Sequence, residues 1–448
     1  MTFDTIAAIA TAFGTAGISV IRISGEHAIT EFNKIFKGAN LNKVPSHTIH
    51  YGKILNEDGS YLDEVMVSIM KAPRSFTAEN TVEVSTHGGI LITQKVLERI
   101  LSLDIRLAEP GEFSQRAYLN GRIDLVEAES IMDLIHAKSE EALKIANLGV
   151  QKETSNLIRN LRSKLLTIIA QIEVNIDYPE YDDAIVMSKE IIEPKTLDLI
   201  KDINHILVES HKNQMIREGI KTAIVGRPNV GKSSLLNALL NEEKAIVTDI
   251  EGTTRDTIEA YINIKGITLK LIDTAGIRET EDIVEKIGVD RSMKALQEAE
   301  LVLLVLDQSR ALTEADKALL ELTKDKKRIL IANKSDLPKA LSMEEVVQIS
   351  TITKHGLKDL EHTILKLLSL EDIKERDFNY LSNIRHIMKV KEAKASLEQV
   401  IASISLDMPV DVYAIDLTAA WRALGEILGE QYQDDLLDEL FSKFCLGK

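Results

Sequence analysis

Alternating apolar and polar positions characterise the first 118 residues of the chain. Short β-type runs there are bounded by Gly, Pro, Asn or Asp, and helical patterns lie between them. The strand-like runs are residues 18–23, 49–55, 64–70 and 81–85, and the helical patterns are residues 26–36 and 90–103. This order predicts a compact α+β domain over residues 1–118.

Beyond this domain the apolar spacing changes to a helical period. Two stripes illustrate it: Leu157, Leu161, Leu165, Ile168 and Ile172, then Ile387, Val390, Ala393, Leu397 and Ile401. Residues 119–216 and 374–448 therefore predict one all-helical domain that is built from two segments. Residues 217–373 would be an inserted domain, and its two ends carry charged and polar sequence.

The inserted region opens with an apolar run, 223–225, and a Leu-rich helix begins by Ser233. Between them stands G-x-x-x-x-G-K-S, with Gly226, Gly231 and Lys232 in register. The backbone N–H groups of such a loop surround phosphate oxygens, its lysine reaches the β- and γ-phosphates, and its serine hydroxyl holds Mg²⁺. A glycine-rich turn without a ligand is the alternative, but the complete pattern between a strand and a helix favours nucleotide binding.

Three further motifs follow at predicted strand ends or loops: residues 252–256 (Gly-Thr-Thr-Arg-Asp), 273–276 (Asp-Thr-Ala-Gly) and 333–336 (Asn-Lys-Ser-Asp). An aspartate and a glycine after a strand suit a Mg²⁺-linked acid and a backbone N–H that faces a γ-phosphate. The carboxylate of Asp336 can accept from both guanine N1–H and the exocyclic amine, and adenine offers neither donor there. All motifs in this order predict a Ras-like α/β G domain that hydrolyses GTP.

Ile277 stands where small GTPases commonly carry a Gln that orients the attacking water. An aliphatic side chain cannot hold water, so another group must. Acidic residues follow directly, at Glu279, Glu281, Asp282 and Glu285. No arginine finger can be assigned from the sequence, and a cation near the β- and γ-phosphates could supply the same positive charge.

Composition adds three constraints. The length of 448 residues suggests about three domains of ordinary size. The net charge of −16, from 54 basic and 70 acidic residues, argues against nonspecific coating of nucleic acid and against a polybasic membrane anchor. The single cysteine, Cys445, excludes an intramolecular disulfide, and neither a signal peptide nor a long apolar stretch is evident. We therefore expect a cytoplasmic protein that has no membrane segment.

Polar residues lie within or just after the predicted N-terminal strands. Arg22 precedes Ser-Gly, Glu83 stands between two valines, and His87 precedes two glycines. Glu83 has a simple interpretation, in which it faces solvent on an amphipathic strand, and a functional one as a ligand-binding carboxylate. His87 is interpreted as a turn or wall residue, and Trp421 as a core residue.

Further short segments match the sequence pattern of a known protein family: Arg22–Gly25, Gly88–Gly89, Pro110–Ser114, Leu119–Leu125, Thr248–Asp256 and the tail Phe444–Lys448. With these segments the chain resembles, over its whole length, the MnmE (TrmE) family of bacterial and organellar tRNA modification GTPases. The resemblance implies an N-terminal folate-binding and dimerisation domain (1–118), a helical domain in two segments (119–216 and 374–448) and a G domain (217–373) inserted into it.

The resemblance also implies a reaction. With an FAD-dependent partner, MnmG (GidA), the family adds an aminomethyl-type group (carboxymethylaminomethyl) at C5 of the wobble uridine, U34, of certain tRNAs. A reduced folate, 5-formyltetrahydrofolate or a relative of it, is implied as the one-carbon source. The family forms a homodimer that joins MnmG in a heterotetramer or larger complex. Its G domains pair across the active site, and K⁺ rather than an arginine activates hydrolysis.

Site residues follow from the same resemblance. The expected K⁺ ligands are Asn229, Thr248, Thr253 and the carbonyl of Ile250, and the expected Mg²⁺ ligands are Ser233 and Thr254. Glu285 matches the catalytic acid that orders the attacking water through a second water. The folate positions are Arg22, Glu83, Arg122 and Lys448. The expected nucleotide contacts are Asn229, Val230, Gly231, Lys232, Ser233, Ser234, Thr248, Asp249, Ile250, Glu251, Gly252, Thr253, Thr254, Asp273, Thr274, Ala275, Gly276, Asn333, Lys334 and Asp336.

The turn at residues 350–352 departs from the family pattern, and one alternative function stays open. Residues 350–352 (Ser-Thr-Ile) replace the usual Ser-Ala-Lys turn that supports the guanine. An Era-like ribosome-assembly or regulatory GTPase, which acts as a switch without chemistry of its own, is the alternative function. Such a switch would not need the folate positions, so folate binding separates the two hypotheses.

Overall fold

A computed structural model describes residues 4–177, 188–242, 260–272, 296–371, 378–430, 434–444 and 447. The chain forms two compact units. The first contains Met1–Met132, Gly149–Thr167 and Trp421–Lys448, and the second contains Asp133–Leu148 and Ile168–Ala420. The expected combination of an N-terminal α+β domain, a helical domain and a Ras-like α/β domain is confirmed.

The strands and helices are labelled in chain order. The strands are β1 Ile6–Ile9, β2 Ile18–Ser24, β3 Phe36–Lys37, β4 Thr48–Leu55, β5 Tyr61–Met70, β6 Thr81–His87, β7 Arg106–Leu107, β8 Ile220–Val225, β9 Ala260–Ile264, β10 Ile267–Leu271, β11 Leu301–Asp307, β12 Arg328–Asn333 and β13 Val347–Gln348. The helices are α1 Ala28–Phe32, α2 Ile90–Leu101, α3 Glu112–Leu119, α4 Leu125–His136, α5 Glu140–Val150, α6 Glu153–Asp177, α7 Lys189–Glu218, α8 Lys232–Glu242, α9 Glu314–Leu322, α10 Leu357–Leu367, α11 Ile384–Ser405, α12 Val410–Leu428 and α13 Asp434–Phe441.

The N-terminal sheet has the order β3-β4-β5-β6-β2-β1-β7. Its strands pair antiparallel, except that β1 and β7 are parallel. Alternation along β5 buries Val65, Val67 and Ile69, which pack in one core with residues of α1 and α2. Since successive side chains point to opposite faces, Glu64, Met66 and Ser68 lie on the other face of the sheet.

The second sheet has the order β13-β12-β11-β8-β10-β9 and is parallel apart from the β9–β10 hairpin. Every residue of β11 is buried, as expected for a central strand that is covered on both faces. The carboxyl ends of β8, β11 and β12 meet at one edge of this sheet. Ligands of open α/β sheets bind at that edge, so the loops after these three strands define the candidate site.

Local details differ from the sequence-based predictions. The stripe on α11 continues through Val400 and Ile404, whereas Ile401 is only partly buried. The prediction of Ile401 was wrong because positions three and seven residues after Leu397 face the core. The short strands β1, β3, β7 and β13 were not predicted, since two to four residues carry little periodic signal. The helical pattern predicted over residues 26–36 is shorter in the structure, because α1 ends at Phe32 and β3 begins at Phe36. Within the described ranges, no helix combines the length and the apolar character needed to span a bilayer.

Candidate functional site

The loop between β8 and α8 has the backbone that a phosphate-binding loop requires. Gly226, Asn229 and Gly231 have positive φ angles of 154°, 63° and 98°. A Cβ atom at Gly226 would lie 2.5 Å from the carbonyl oxygen of Val305, and one at Gly231 would lie 2.2 Å from Nδ2 of Asn333. Both positions therefore need glycine for conformation and for space.

Lys232 is the first residue of α8, and its ammonium points back into this loop. Its Nζ donates to the carbonyl oxygens of Gly226 and Arg227, each at 2.9 Å. Burial lowers the pKa of this lysine below its ordinary value. Arg227 in turn donates from Nε to Asp316 of α9 at 2.8 Å, which anchors the loop from outside. The loop thus holds a partly buried cation where an anion can bind.

The loop after β12 is tied directly to the phosphate loop. Asn333 is buried, donates from Nδ2 to the carbonyl oxygen of Val230 at 2.9 Å, and accepts from the Thr351 N–H at 3.3 Å. Asp336 accepts from the Ser350 hydroxyl at 2.5 Å. The unusual turn at 350–352 therefore still supplies a hydroxyl and an N–H that support this loop.

Lys334 makes a contact that sequence reasoning missed. Its Nζ lies 2.7 Å from Oδ2 of Asp307, the last residue of β11. An aspartate at the end of a buried strand that neighbours β12 is the signal that could have indicated it. The structure brings Asn229, Lys232, Asn333, Lys334 and Asp336 to the same edge of the sheet.

Several predicted site residues lie outside the described residues. They are Thr248, Asp249, Ile250, Glu251, Gly252, Thr253, Thr254, Asp273, Thr274, Ala275, Gly276, Glu285 and Lys448, together with Ile277 and Cys445. Their predicted roles stay predictions.

Arg22 and Glu83 form the centre of a polar site in the first unit. They are register partners on β2 and β6, and Arg22 Nε donates to Glu83 Oε1 at 2.9 Å. Arg22 Nη1 also donates to the carbonyl oxygen of Gly447 at 3.1 Å. The guanidinium carbon lies 5.8 Å from the ring centre of Phe76 and 5.7 Å from that of Phe113. Glu83 is thus paired with a cation and does not simply face solvent.

The C-terminal tail reaches this site, whereas Arg122 makes no polar contact with the Arg22–Glu83 pair among the described residues. Gly447 is buried with φ of 89°, and a Cβ there would lie 2.4 Å from the carbonyl oxygen of Ile9. Arg122 is exposed after α3. Among the described residues it forms no side-chain hydrogen bond or ion pair with Arg22 or Glu83. The structure therefore unites three of the elements expected for folate binding, namely Arg22, Glu83 and the tail.

A buried charge network around Arg116 was also missed. Arg116 is 2% exposed, and its Nη2 lies 2.9 Å from Asp4 Oδ1 and 2.8 Å from Glu112 Oε1. Although burial opposes ionisation of Glu112, hydrogen bonds led by that of Arg106 hold its pKa below the ordinary value. Buried charges persist when they are fully paired. The network fixes α3, which carries Phe113 next to Arg22.

His87 is the exposed end of a histidine–aspartate pair. It closes β6 with a side chain that is 69% exposed, and its Nδ1 lies 2.6 Å from Oδ1 of the buried Asp63. Trp421 is partly buried and stacks against Arg162, whose guanidinium carbon lies 4.1 Å from the ring centre.

The His87–Asp63 hydrogen bond raises the pKa of His87. Its stabilising effect is therefore present below the unfolded pKa of about 6.5 and is lost as the pH rises through the folded value. We expect His87 to titrate above an ordinary histidine in an NMR pH titration, and Asp63→Asn to lower its pKa. An unchanged His87 pKa in Asp63→Asn would contradict this assignment.

Comparison with known proteins gives matches over the full chain. The model for the "GTP-binding protein TrmE N-terminus" matches residues 5–122, and that for the "MnmE helical domain" matches residues 125–445. The chain is 68% identical to the tRNA modification GTPase MnmE of Acholeplasma laidlawii (strain PG-8A), over 100% of both chains. It is 58% identical to the protein of the same name from Aster yellows witches'-broom phytoplasma (strain AYWB), again over 100% of both.

Solved structures match a smaller part. A structure of Era with MgGDPNP and a fragment of 16S ribosomal RNA is 29% identical over 33% of this chain and 55% of that chain, with a TM-score of 0.25. The G domain of the T. maritima FeoB iron transporter is 28% identical over 33% of this chain and 96% of that chain, with a TM-score of 0.24. The family of the chain is therefore shown by its full-length relatives and not by these partial structural matches.

Proposed function

As a member of the MnmE family of tRNA modification GTPases, the chain is a GTPase with a role in tRNA modification, and we propose that it supports modification of the wobble uridine. In this proposal it works with the FAD-dependent partner MnmG to add a carboxymethylaminomethyl-type group at C5 of U34. The observation that carries the proposal is the Arg22–Glu83 pair with the tail at Gly447, because this polar site stands apart from the nucleotide loop in sequence and has no use in a simple switch.

The nucleotide edge fits GTP by the chemistry of its donors. Lys232 and the N–H groups of its loop would hold the phosphates, and Asn333 and Asp336 would hold the guanine. Ser233, with Thr254, would hold Mg²⁺, and Asn229, with Thr248, Thr253 and the Ile250 carbonyl, would hold K⁺. When bound, these cations would supply positive charge to the phosphate oxygens. Glu285 would order the attacking water.

The Arg22–Glu83 site fits a reduced folate in its chemical groups. The Glu83 carboxylate suits the N–H edge of the pterin, the Arg22 guanidinium holds that carboxylate in place, and the Phe76 and Phe113 rings border the guanidinium. Arg122 and Lys448 would add positive charge to the same ligand. These features favour a folate-dependent enzyme over the Era-like switch.

A homodimer through the N-terminal domain is part of the proposal. The sheet face opposite α1 and α2 exposes large apolar side chains, with Ile49 at 63%, Tyr51 at 61% and Met66 at 46%. Contiguous exposed apolar residues indicate an interaction surface. A second copy of the chain would cover them.

Glu83→Ala is expected to weaken binding of 5-formyltetrahydrofolate at least about tenfold, because Arg22 loses its charged partner and the pterin edge loses its acceptor. GTP hydrolysis should stay nearly unchanged. Calorimetric titration with the folate and a GTPase assay measure the two effects. Glu64→Ala is the matched control, since Glu64 pairs with Lys53 at 3.1 Å in the same sheet. Equal folate affinity in Glu83→Ala and Glu64→Ala would remove Glu83 from the site.

The function itself is tested in cells that lack this protein. Mass spectrometry of their tRNA nucleosides should show loss of the C5 modification at U34, and a plasmid carrying the wild-type chain should restore it. If ribosome assembly stays normal while the U34 modification is lost, the proposal is supported. Intact U34 modification would overturn it and favour the switch.

A further inference from the structure

Asp307 and Lys334 stand at the ends of neighbouring strands of the second sheet. Asp307 is the last residue of β11 and pairs in register with Asn333, the last residue of β12. Lys334 follows directly, and its Nζ lies 2.7 Å from Asp307 Oδ2. The Asp307 side chain is 5% exposed and that of Lys334 is 29% exposed. The ion pair is therefore largely shielded from solvent, where dissolved salt screens it less than it screens a surface pair.

The aspartate is the fixed member of this pair. Asp307 Oδ1 accepts from the Ser309 N–H at 2.9 Å and from its hydroxyl at 2.6 Å. The next residue, Gln308, donates its N–H to the carbonyl oxygen of Asn333 at 2.9 Å. Although burial opposes its ionisation, the hydrogen bonds from Lys334 and Ser309 hold the pKa of Asp307 below the ordinary value. Its second oxygen thus offers a preformed anchor.

The residues on both sides of Lys334 are held in place by hydrogen bonds. Lys334 has a φ of 67°, in the left-handed region that a residue with a Cβ seldom adopts. Its neighbour Ser335 donates its N–H to the carbonyl oxygen of Ile349 at 3.0 Å, and Asn333 is bonded to Val230. A free lysine side chain would occupy many rotamers, and ordering it on binding costs entropy. The bond to Asp307 removes that freedom beforehand.

We propose that Asp307 is a positioning residue for nucleotide binding, which fixes the side chain of Lys334 beside the guanine-binding loop. This inference rests on the proposed assignment of Asn333–Asp336 to the guanine. Preordering a ligand-contacting side chain raises affinity by lowering the cost of binding. Asp307 itself need not touch the nucleotide.

Asp307→Asn in the full-length protein is expected to raise the Kd for a fluorescent GDP analogue about tenfold, the effect of one charge-assisted hydrogen bond. The change should lie mainly in the dissociation rate, which stopped-flow displacement measures. Asp133→Asn is the matched control, since Asp133 pairs with Arg217 at 2.7 Å in the same unit and away from the loop. That control should leave the Kd unchanged. An Asp307→Asn protein with wild-type affinity would overturn the proposal.

A double-mutant cycle separates positioning from general damage. Lys334→Met removes the ammonium and keeps an apolar stem, so Asp307→Asn should cause no further loss of affinity in that background. Independent effects in both backgrounds would mean that Asp307 acts through the fold and would overturn the proposal. If Asp307→Asn does not fold, Asp307→Glu decides, because it displaces the charge: a several-fold higher Kd supports positioning, and an unchanged Kd contradicts it.

The failure of the guanine assignment remains distinguishable. If Asp336→Asn leaves the GDP affinity unchanged, the assignment of Asn333–Asp336 is wrong, and the role of Asp307 falls with it. If Asp336→Asn weakens GDP binding but Asp307→Asn does not, only the positioning role is wrong.

Discussion

Asp336→Asn should weaken GTP binding and shift the preference of the protein toward xanthosine triphosphate. The carboxylate accepts hydrogen bonds, and guanine presents two N–H donors to it. An amide in its place turns one N–H₂ group toward those donors, which leaves a buried group unpaired at a cost of about 1–3 kcal/mol. Xanthine carries a carbonyl where guanine carries the exocyclic amine, so it can accept from the new amide. Titrations of both nucleotides against both proteins measure the exchange.

The Asp336→Asn substitution should change base recognition without changing the shape of the loop. Ser350 donates to Asp336 Oδ1, and an asparagine oxygen can accept the same bond, so the loop should keep its shape. Asp359→Asn is the control, because Asp359 is an exposed residue in the first turn of α10. It should bind GTP as the wild type does. Unchanged GTP affinity in Asp336→Asn would exclude Asp336 from base recognition.

The G-domain half of the site could be predicted because its chemistry is local in sequence. A few consecutive residues define the phosphate loop, and the glycines at 226 and 231 are required by positive φ angles that the loop shows. The alternation of β5 and the helical period of α11 were equally local. The stripe on α11 differed from the prediction at Ile401, because a real helix drifts relative to any short template.

The rest of the site depends on pairings that no local pattern contains. Arg22 and Glu83 are 61 positions apart, and only the register of β2 and β6 makes them partners. Arg116 occupies a helix whose sequence gives no sign that its guanidinium is buried among carboxylates. Asp307 was missed for the same reason, since its partner Lys334 lies directly after the neighbouring strand β12, 27 positions along the chain. Sequence indicates which chemistry is present, and strand order decides which groups meet.

GTP hydrolysis by this protein should require K⁺ and should rise with protein concentration. Ile277 cannot orient water, and no arginine in the chain is an evident finger. Charge that develops between the β- and γ-phosphates must still be neutralised, and an arginine finger in comparable enzymes contributes about 10³–10⁵ in rate. Asn229, with the oxygens of Thr248, Ile250 and Thr253, would offer hard ligands for a monovalent cation at that place.

Asn229 is the member of this proposed ligand set that lies within the described residues. Its φ of 63° is one that asparagine adopts more readily than most residues with a Cβ. Asn229→Ala therefore removes the ligand and also strains the loop, whereas Asn229→Gly removes the ligand without that strain. Both variants should bind GDP through Lys232 and should lose the activation by K⁺. A loss confined to Asn229→Ala would indicate strain rather than a missing ligand.

A loop that closes over the ion would be stabilised by a second G domain facing it, which is why the specific activity should increase with concentration. Glu285→Ala should abolish turnover while GTP still binds, because the water would lose its ordering group. Glu281→Ala, in the same acidic segment, is the control and should stay active. The assay compares wild type and variants in K⁺ and in Na⁺ at several protein concentrations. Equal rates in both salts would remove the cation from the mechanism, and the missing positive charge would then have to come from an arginine of the chain or of its second copy.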